Sequence, residues 1–437
     1  MPNIYPFKGW RFNTNIIKDI SQVIVPPYDV INNADQATLY DRSPFNYVRI
    51  ILNRSVGMER YSKAAKTFSK WKKNQILIQD TDPTVYLLCQ SFCQDDQQIE
   101  RTGFIAKLKI TKLGGDVLPH EQTISKHIND RYNLMKATKA NTGQIFMSYR
   151  DQTRTVESIL GAYKNEIPLI DVVLDGIQYR LWCLTDEGLI NTIQNVMVGT
   201  KIIIADGHHR YKTAYKYAQD HPEINGSDRV MVTLVNAYND GMHVLPTHRI
   251  VCGKPIGDDR FIDKIKGLFD IEKIPSAAKL LNEMDQRRAS NTIILGVLTR
   301  VGNAYLLSYK GEDNWSSDLS TASQALDINV LHELILQPAC GIDTRNQHDL
   351  EHLTYVRGNE PPLEMIRNVS DYDFVFFVNP PDLDQIFDVA ETGETMPQKS
   401  TYFYPKVYLL RNLFYQSAPI SAALLLISVG NLSLIHI

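Results

Sequence analysis

Residues 201–214 (KIIIADGHHRYKTA) limit what this chain can fold into more than any other stretch. Ile202, Ile203 and Ile204 form a β-branched run suited to a buried strand, and Asp206-Gly207 stops it abruptly. A helical pattern over 211–219 follows at once. A strand that turns directly into a helix needs a sheet with helices laid on it, which points to α/β or α+β architecture. The junction also concentrates polar groups. Gly207 admits a positive φ, the first helical N–H groups have no intrahelical partner, and the helix dipole favours an anion there. Arg210 adds a planar fork for a phosphate or carboxylate, with His208 and His209 beside it. The alternative is a structural turn whose histidines cap the helix and face solvent.

At 437 residues the chain exceeds one ordinary core, and about two or three domains are expected. Hydrophobic residues at 43% and charged residues at 22% describe a globular protein. A net charge of -3 and the lack of a basic run give no reason to expect nucleic acid as a partner. The five cysteines are scattered; Cys89 and Cys93 fall on one face of an expected strand, without the companions of a zinc site, and read as buried free thiols. No charged leader precedes an apolar run at the N-terminus, so a cytoplasmic setting is expected. Residues 412–437 carry no formal charge, but Gln416, Pro419 and Asn431 interrupt them and no basic cluster follows. We expect no membrane span there, and read 407–437 as a non-native apolar tail.

The rest of the chain alternates strands with helices. Residues 46–53 read as a buried strand, 58–73 as an amphipathic helix with its lysines on the wet side, and 85–92 and 103–110 as strands. A helix is expected from about Asn129 and a strand over 145–149. After 253 the pattern restarts, ending in a helix over 326–337 and a strand over 373–379. His332-Glu333 on that helix lacks a second histidine at metal-binding spacing and is assigned to a solvated face. The organisation expected is an N-terminal α/β region (1–100), a core (101–252) with an insertion at 150–198, and a C-terminal α/β domain (253–406).

Two further constellations hold chemistry. His120-Glu121, followed by Asp130-Arg131, gathers titratable groups in an irregular stretch. There a glutamate can act as a general base toward a hydroxyl, and a carboxylate can hold Mg²⁺ with substrate phosphates; surface ion pairs are the alternative. Residues 396–406 (MPQKSTYFYPK) combine Lys399, Ser400 and Thr401 with three aromatic rings. Neither G-x-G-x-x-G after a strand nor G-x-x-x-x-G-K-[ST] occurs, so any nucleotide must be held by a different turn.

Taken together, Pro26-Pro27-Tyr28-Asp29-Val30, His120-Glu121-x-Thr123 through Asp130-Arg131, Asp206-Gly207-His208-His209-Arg210-Tyr211 and the 396–406 segment resemble the family catalogued as domain of unknown function 1015. The Asp-Gly-His-His-Arg turn is also similar to the signature turn of the ParB/sulfiredoxin superfamily. That superfamily includes sulfiredoxin, CTP-binding partition proteins and SerK-type free-serine kinases, which use ATP or ADP. The resemblance implies a ParB/sulfiredoxin-like core in which this turn binds nucleotide phosphates. With no cysteine at the turn, sulfiredoxin's thiol chemistry does not carry over, and the basic helix-turn-helix of a partition protein is missing.

The expected function is a Mg²⁺- and nucleotide-dependent phosphotransferase acting on a small hydroxylated metabolite, an amino acid such as serine first. Asp206, Gly207, His208, His209, Arg210, Arg131, Lys399, Ser400 and Thr401 would bind the nucleotide. Glu121, His120 and Arg210 would be catalytic, and Asp130 and Asp206 would assist the metal. A non-catalytic nucleotide-binding sensor is the alternative, and a hydrolase or nuclease a third reading.

Overall fold

A computed structural model describes residues 2–94, 96–121, 126–288, 292–311, 315, 318–358, 362–367, 371–407, 413–416 and 418–419. The chain forms two compact units. The first comprises 1–117, 124–242 and 406–437; the second comprises 118–123 and 243–405.

The first unit is built on a mainly antiparallel sheet. Its strands run in the order Ile202–Asp206, Ile145–Tyr149, Arg229–Asn236, Gln97–Lys109, Val85–Gln94, Ile177–Leu184, Ile170–Leu174, with Ile4–Tyr5 also on Gln97–Lys109. Ile145–Tyr149 and Arg229–Asn236 pair in parallel, in a register that sets Thr233 beside Phe146. Helices Glu187–Met197 and Thr155–Tyr163 supply Ile193, Met197, Val156 and Leu160 to a core with Phe104, Met147, Ile204 and Val232. Helices Glu59–Lys73, Lys126–Thr138 and His208–Asp220 pack in succession. As expected, Ala64, Phe68 and Trp71 of Glu59–Lys73 are buried.

Several local expectations change here. Residues 46–53 hold the short helix Val48–Ile51 instead of a strand. Val48, Ile50 and Ile51 are all buried, and a short apolar run buried on every side carries no periodicity by which helix and strand can be told apart. The expected boundary at 100 falls inside the strand Gln97–Lys109, and the expected insertion supplies two strands of the main sheet. Cys89 is buried but Cys93 is exposed, because the strand Val85–Gln94 loses its cover at its end. Residues 413–416, within the expected tail, form a strand paired with Trp10–Phe12 on one side and Ala140–Asn141 on the other. Phe414 is fully buried there, with its ring centroid 4.8 Å from that of Tyr47 and 5.6 Å from that of Phe68. Residues 420–437 lie outside the described residues.

The second unit has an antiparallel sheet in the order Phe269–Ile274, Ala304–Tyr309, Ile294–Thr299, Phe374–Phe377, Thr247–Val251, Leu353–Arg357. Helix Ala277–Arg287 lays Leu280 and Met284 on it, against Leu306 and Phe377. A Cβ at Gly296 would sit 2.6 Å from the Met284 sulfur, so this close approach requires glycine. The helix expected over 326–337 is broken into Asp327–Leu331, a π-helical turn His332–Leu336 and Gln337–Cys340. This segment is buried on nearly every side, from Ile328 to Leu336, and His332 with it is 4% exposed, not solvated as expected. Among the described residues no helix is long and apolar enough to cross a membrane. The mixed α/β class expected from the sequence is the one the structure has.

Candidate functional site

In the first unit the strand Ile202–Asp206 ends at Gly207, which has φ +104° and opens the helix His208–Asp220. The glycine is needed twice. Its backbone conformation disfavours any side chain, and a Cβ would lie 2.8 Å from Nε of Arg210, whose guanidinium folds back over the turn. One edge of that guanidinium donates to the Asp206 carboxylate and another to the backbone carbonyl of Gln144. The second Asp206 oxygen accepts from the Lys406 ammonium at 2.6 Å. Burial alone would raise the Asp206 pKa, but Lys406 and Arg210 hold it well below the ordinary carboxylate range.

Lys406 was not among the expected site residues, although it closes the 396–406 motif. Its backbone carbonyl accepts from Tyr179 Oη at 3.2 Å and from Gln90 Nε2 at 3.4 Å, which fixes the residue against the sheet. The partners of its ammonium and carbonyl are some two hundred residues or more away, so no local spacing shows the contact.

Arg131 approaches the same region from the helix Lys126–Thr138. It donates to Asp130, to the Ile51 carbonyl at 3.0 Å, and stacks 4.0 Å over the Tyr28 ring. Asp130 also accepts from Tyr61 Oη at 2.8 Å. Burial would raise the Asp130 pKa, but Arg131 outweighs it and the pKa falls. Tyr28, Arg131, Thr142, Gly143, Arg210 and Thr213 line a pocket of about 30 Å³. That is room for on the order of two or three waters, which suits a phosphate group and leaves a nucleoside outside. The pocket wall is fixed from behind, since Tyr47 Oη donates to the Thr142 carbonyl at 2.8 Å. Each of the four motifs singled out in the sequence thus sends a residue to one place: Tyr28, Asp130-Arg131, the 206–210 turn and Lys406. His208 is buried beside Asp206, and the carbonyl of His209 accepts from Thr213 Oγ1 at 2.7 Å.

The carboxylates expected to assist a metal do not suit it. Both oxygens of Asp206 are taken by cations, and Asp130 is held by Arg131. Among the described residues no three His, Cys, Asp or Glu side chains gather as ligands.

His120 and Glu121, expected to act with the turn, belong to the second unit. His120 is fully buried, with Nε2 2.8 Å from Thr401 Oγ1 and its ring edge-on to Phe403. Glu121 accepts the backbone N–H of Lys399, and its strand-like bridge to Met396 is extended by the Met396 N–H donating to the His120 carbonyl at 2.8 Å. Ser400 is buried and donates to the Pro397 carbonyl at 2.5 Å. In this unit His120, Glu121, Ser400 and Thr401 therefore knit the 396–406 segment in place. Thr123 of that motif lies outside the described residues.

Comparison with known proteins bears on the family. No curated protein matches the sequence. Among solved structures, a conserved hypothetical protein from Pyrococcus furiosus is 12% identical, with a TM-score of 0.33 over 67% of this chain and 92% of that one. A free serine kinase in complex with AMP is 11% identical, with a TM-score of 0.35 over 69% and 88%. SbnI with a C-terminal truncation, from Staphylococcus aureus, is 12% identical, with a TM-score of 0.33 over 70% and 84%. Likenesses this distant carry nothing about activity. The sequence itself matches one family over residues 4–329, three quarters of its length, and the chain belongs to that family, described as protein of unknown function (DUF1015).

Proposed function

We propose that the first unit binds the phosphate of a nucleotide, ATP or ADP, in the pocket between the Asp206–Arg210 turn and Arg131. We further propose that the chain is a phosphotransferase acting on the hydroxyl of a small metabolite, with an amino acid such as serine the first to test. One observation carries the reading. Two guanidinium groups, Arg131 and Arg210, line a single phosphate-sized pocket beside a glycine turn that opens a helix. Asp206 then acts as an internal stand-in for phosphate: it keeps Arg210 and Lys406 oriented and is displaced, or shared, when the anion arrives. The support is this geometry together with the motif resemblance.

A second reading, a non-catalytic nucleotide-binding sensor, is favoured by a specific observation. The carboxylate expected to be the base, Glu121, is engaged by the Lys399 N–H within the second unit. Thermal shift with ATP and ADP, followed by a search for phosphorylated product among pooled metabolites, separates the readings. A nucleotide that binds the folded state stabilises it by mass action whatever the acceptor is. No shift with either nucleotide would sink both. A shift without product, unchanged in Glu121→Gln, selects the sensor.

A further inference from the structure

Among the described residues, the second unit contains positive charge that its own side chains leave without an ion pair. Arg249 is fully buried, 0% exposed. Its N–H groups go to the Thr247 carbonyl at 2.6 Å, the Lys399 and Gln398 carbonyls at 3.3 and 3.4 Å, and Nε2 of His332 at 3.4 Å. His332 is itself a neutral ring, because burial and then Arg249 hold its pKa well below the ordinary value. A guanidinium surrounded by carbonyls and a neutral imidazole has satisfied hydrogen bonds but no ion-pair partner, which is an expensive arrangement in a buried site. Burial accordingly pulls its pKa down to about 10.

Two further cations crowd the same place. Tyr355 lies opposite Arg249 in the register of strands Thr247–Val251 and Leu353–Arg357. The Arg249 guanidinium stands 4.7 Å from the Tyr355 ring centroid, and the Lys399 ammonium 4.5 Å from that same centroid. Arg357, two residues along the strand and so on the same face as Tyr355, lies 5.1 Å over the Tyr402 ring. Among the described residues none of the three cations makes an ion pair. Among the described residues, Glu121 is the carboxylate whose charge reaches Arg249 and Lys399. Partial burial of its stem lowers the Lys399 pKa, and Arg357 and Arg249 lower it further, as expected where like charges are pressed together.

We propose that Lys399 and the buried Arg249, grouped on Tyr355, together with Arg357 over the Tyr402 ring, form the seat of a small oxyanion, the phosphate or carboxylate group of a metabolite. Arg249, its N–H groups already used, supplies field from beneath. Lys399 and Arg357 are exposed and make the contacts. The seat lies wholly in the second unit and does not depend on the phosphate pocket of the first.

Competitive labelling of the full chain tests it. Trace acetic anhydride acylates free lysine amines, and mass spectrometry of the peptides reads each site with and without inorganic phosphate or, in a second arm, malonate, at constant ionic strength. Acylation of Lys399 is expected to slow at least about tenfold in one or both arms, as for an ammonium held in a charge-assisted hydrogen bond, while Lys63 and Lys66 on the wet face of helix Glu59–Lys73 react unchanged. The arm that protects identifies the anion as phosphate or carboxylate. In Arg357→Met the protection should be lost. A Lys399 rate unchanged by either anion, or full protection surviving Arg357→Met, would overturn the proposal. Lys406, read in the same spectra, reports separately on the first unit.

Discussion

At its turn the first unit matches its cations with carboxylates: Arg210 and Lys406 share Asp206, and Arg131 holds Asp130. Around Tyr355 the second unit does the reverse, burying Arg249, His248 and His332 against carbonyls, a hydroxyl and rings. The two arrangements respond differently to the same perturbations. A paired network is stable near neutral pH and is disturbed by a competing anion, which exchanges with the internal carboxylate. Uncompensated bases lose stability as soon as protons become available, and gain it when an anion is supplied from outside.

The largest expected effect separates the two units by their cores. Phe414→Ala removes a fully buried ring from the cluster with Tyr47, Phe68 and Phe12. It should cost the first unit about 3–5 kcal/mol. In calorimetry this appears as a shift of one transition with the other left in place; equal shifts of both would mean that the units do not melt independently and would break the comparison. Acid comes next. His248 accepts from the Val378 N–H at 3.3 Å, and burial, then Arg249, hold its pKa down at about 4 against an ordinary 6.5. The folded state keeps the ring neutral while the unfolded chain binds a proton. Stability therefore falls as pH drops from about 6.5 towards 4, by about 3 kcal/mol. Asp206 has the opposite character: its contribution is intact above the ordinary carboxylate pKa near 3.8 and is lost only as pH falls further. Hydrogen exchange at pH 5 should thus loosen strand Phe374–Phe377 before strand Ile202–Asp206, and the reverse order would contradict the assignment of charge.

Arg210→Ala sharpens the first half of the comparison. It should weaken nucleotide binding, or slow any phosphotransfer, by roughly 10²-fold or more. Arg357→Met should leave that binding unchanged. The smallest effect is Gly207→Ala, which forces a side chain to φ +104° and against Arg210. A loss of about 1–2 kcal/mol of stability is expected, with the Arg210 contacts to Asp206 and Gln144 disturbed. A neutral outcome in chemical denaturation would show that the guanidinium moves aside freely.

What the sequence disclosed followed the reach of its signals. The 206–210 turn was legible because a β-branched strand, a glycine and a helix start are adjacent in the chain. Arg131 is visible in the sequence only as one of a group of titratable residues, and Tyr28 only as a piece of a resemblance, since their stacking depends on packing between distant segments. Lys406 was passed over for the same reason, its carboxylate partner being 200 positions earlier. His332 lies off the apolar stripe of a regular helical repeat, which predicts a wet face, whereas the segment is covered on nearly every side by packing that the local pattern does not record. Glu121 was read as a base from its composition and neighbours. Its hydrogen bond to Lys399 spans 278 positions and could not be read from spacing.

The strand at 413–416 has a consequence for how the chain is made. It lies between a strand from residues 10–12 and one from 140–141, and the whole second unit is translated before it. During synthesis Phe12, Tyr47 and Phe68 therefore stay partly uncovered until residues 413–416 leave the ribosome and slot in. The second unit faces no such delay. Its sheet comes from one continuous run, residues 247–377, and all six strands are made before 413–416.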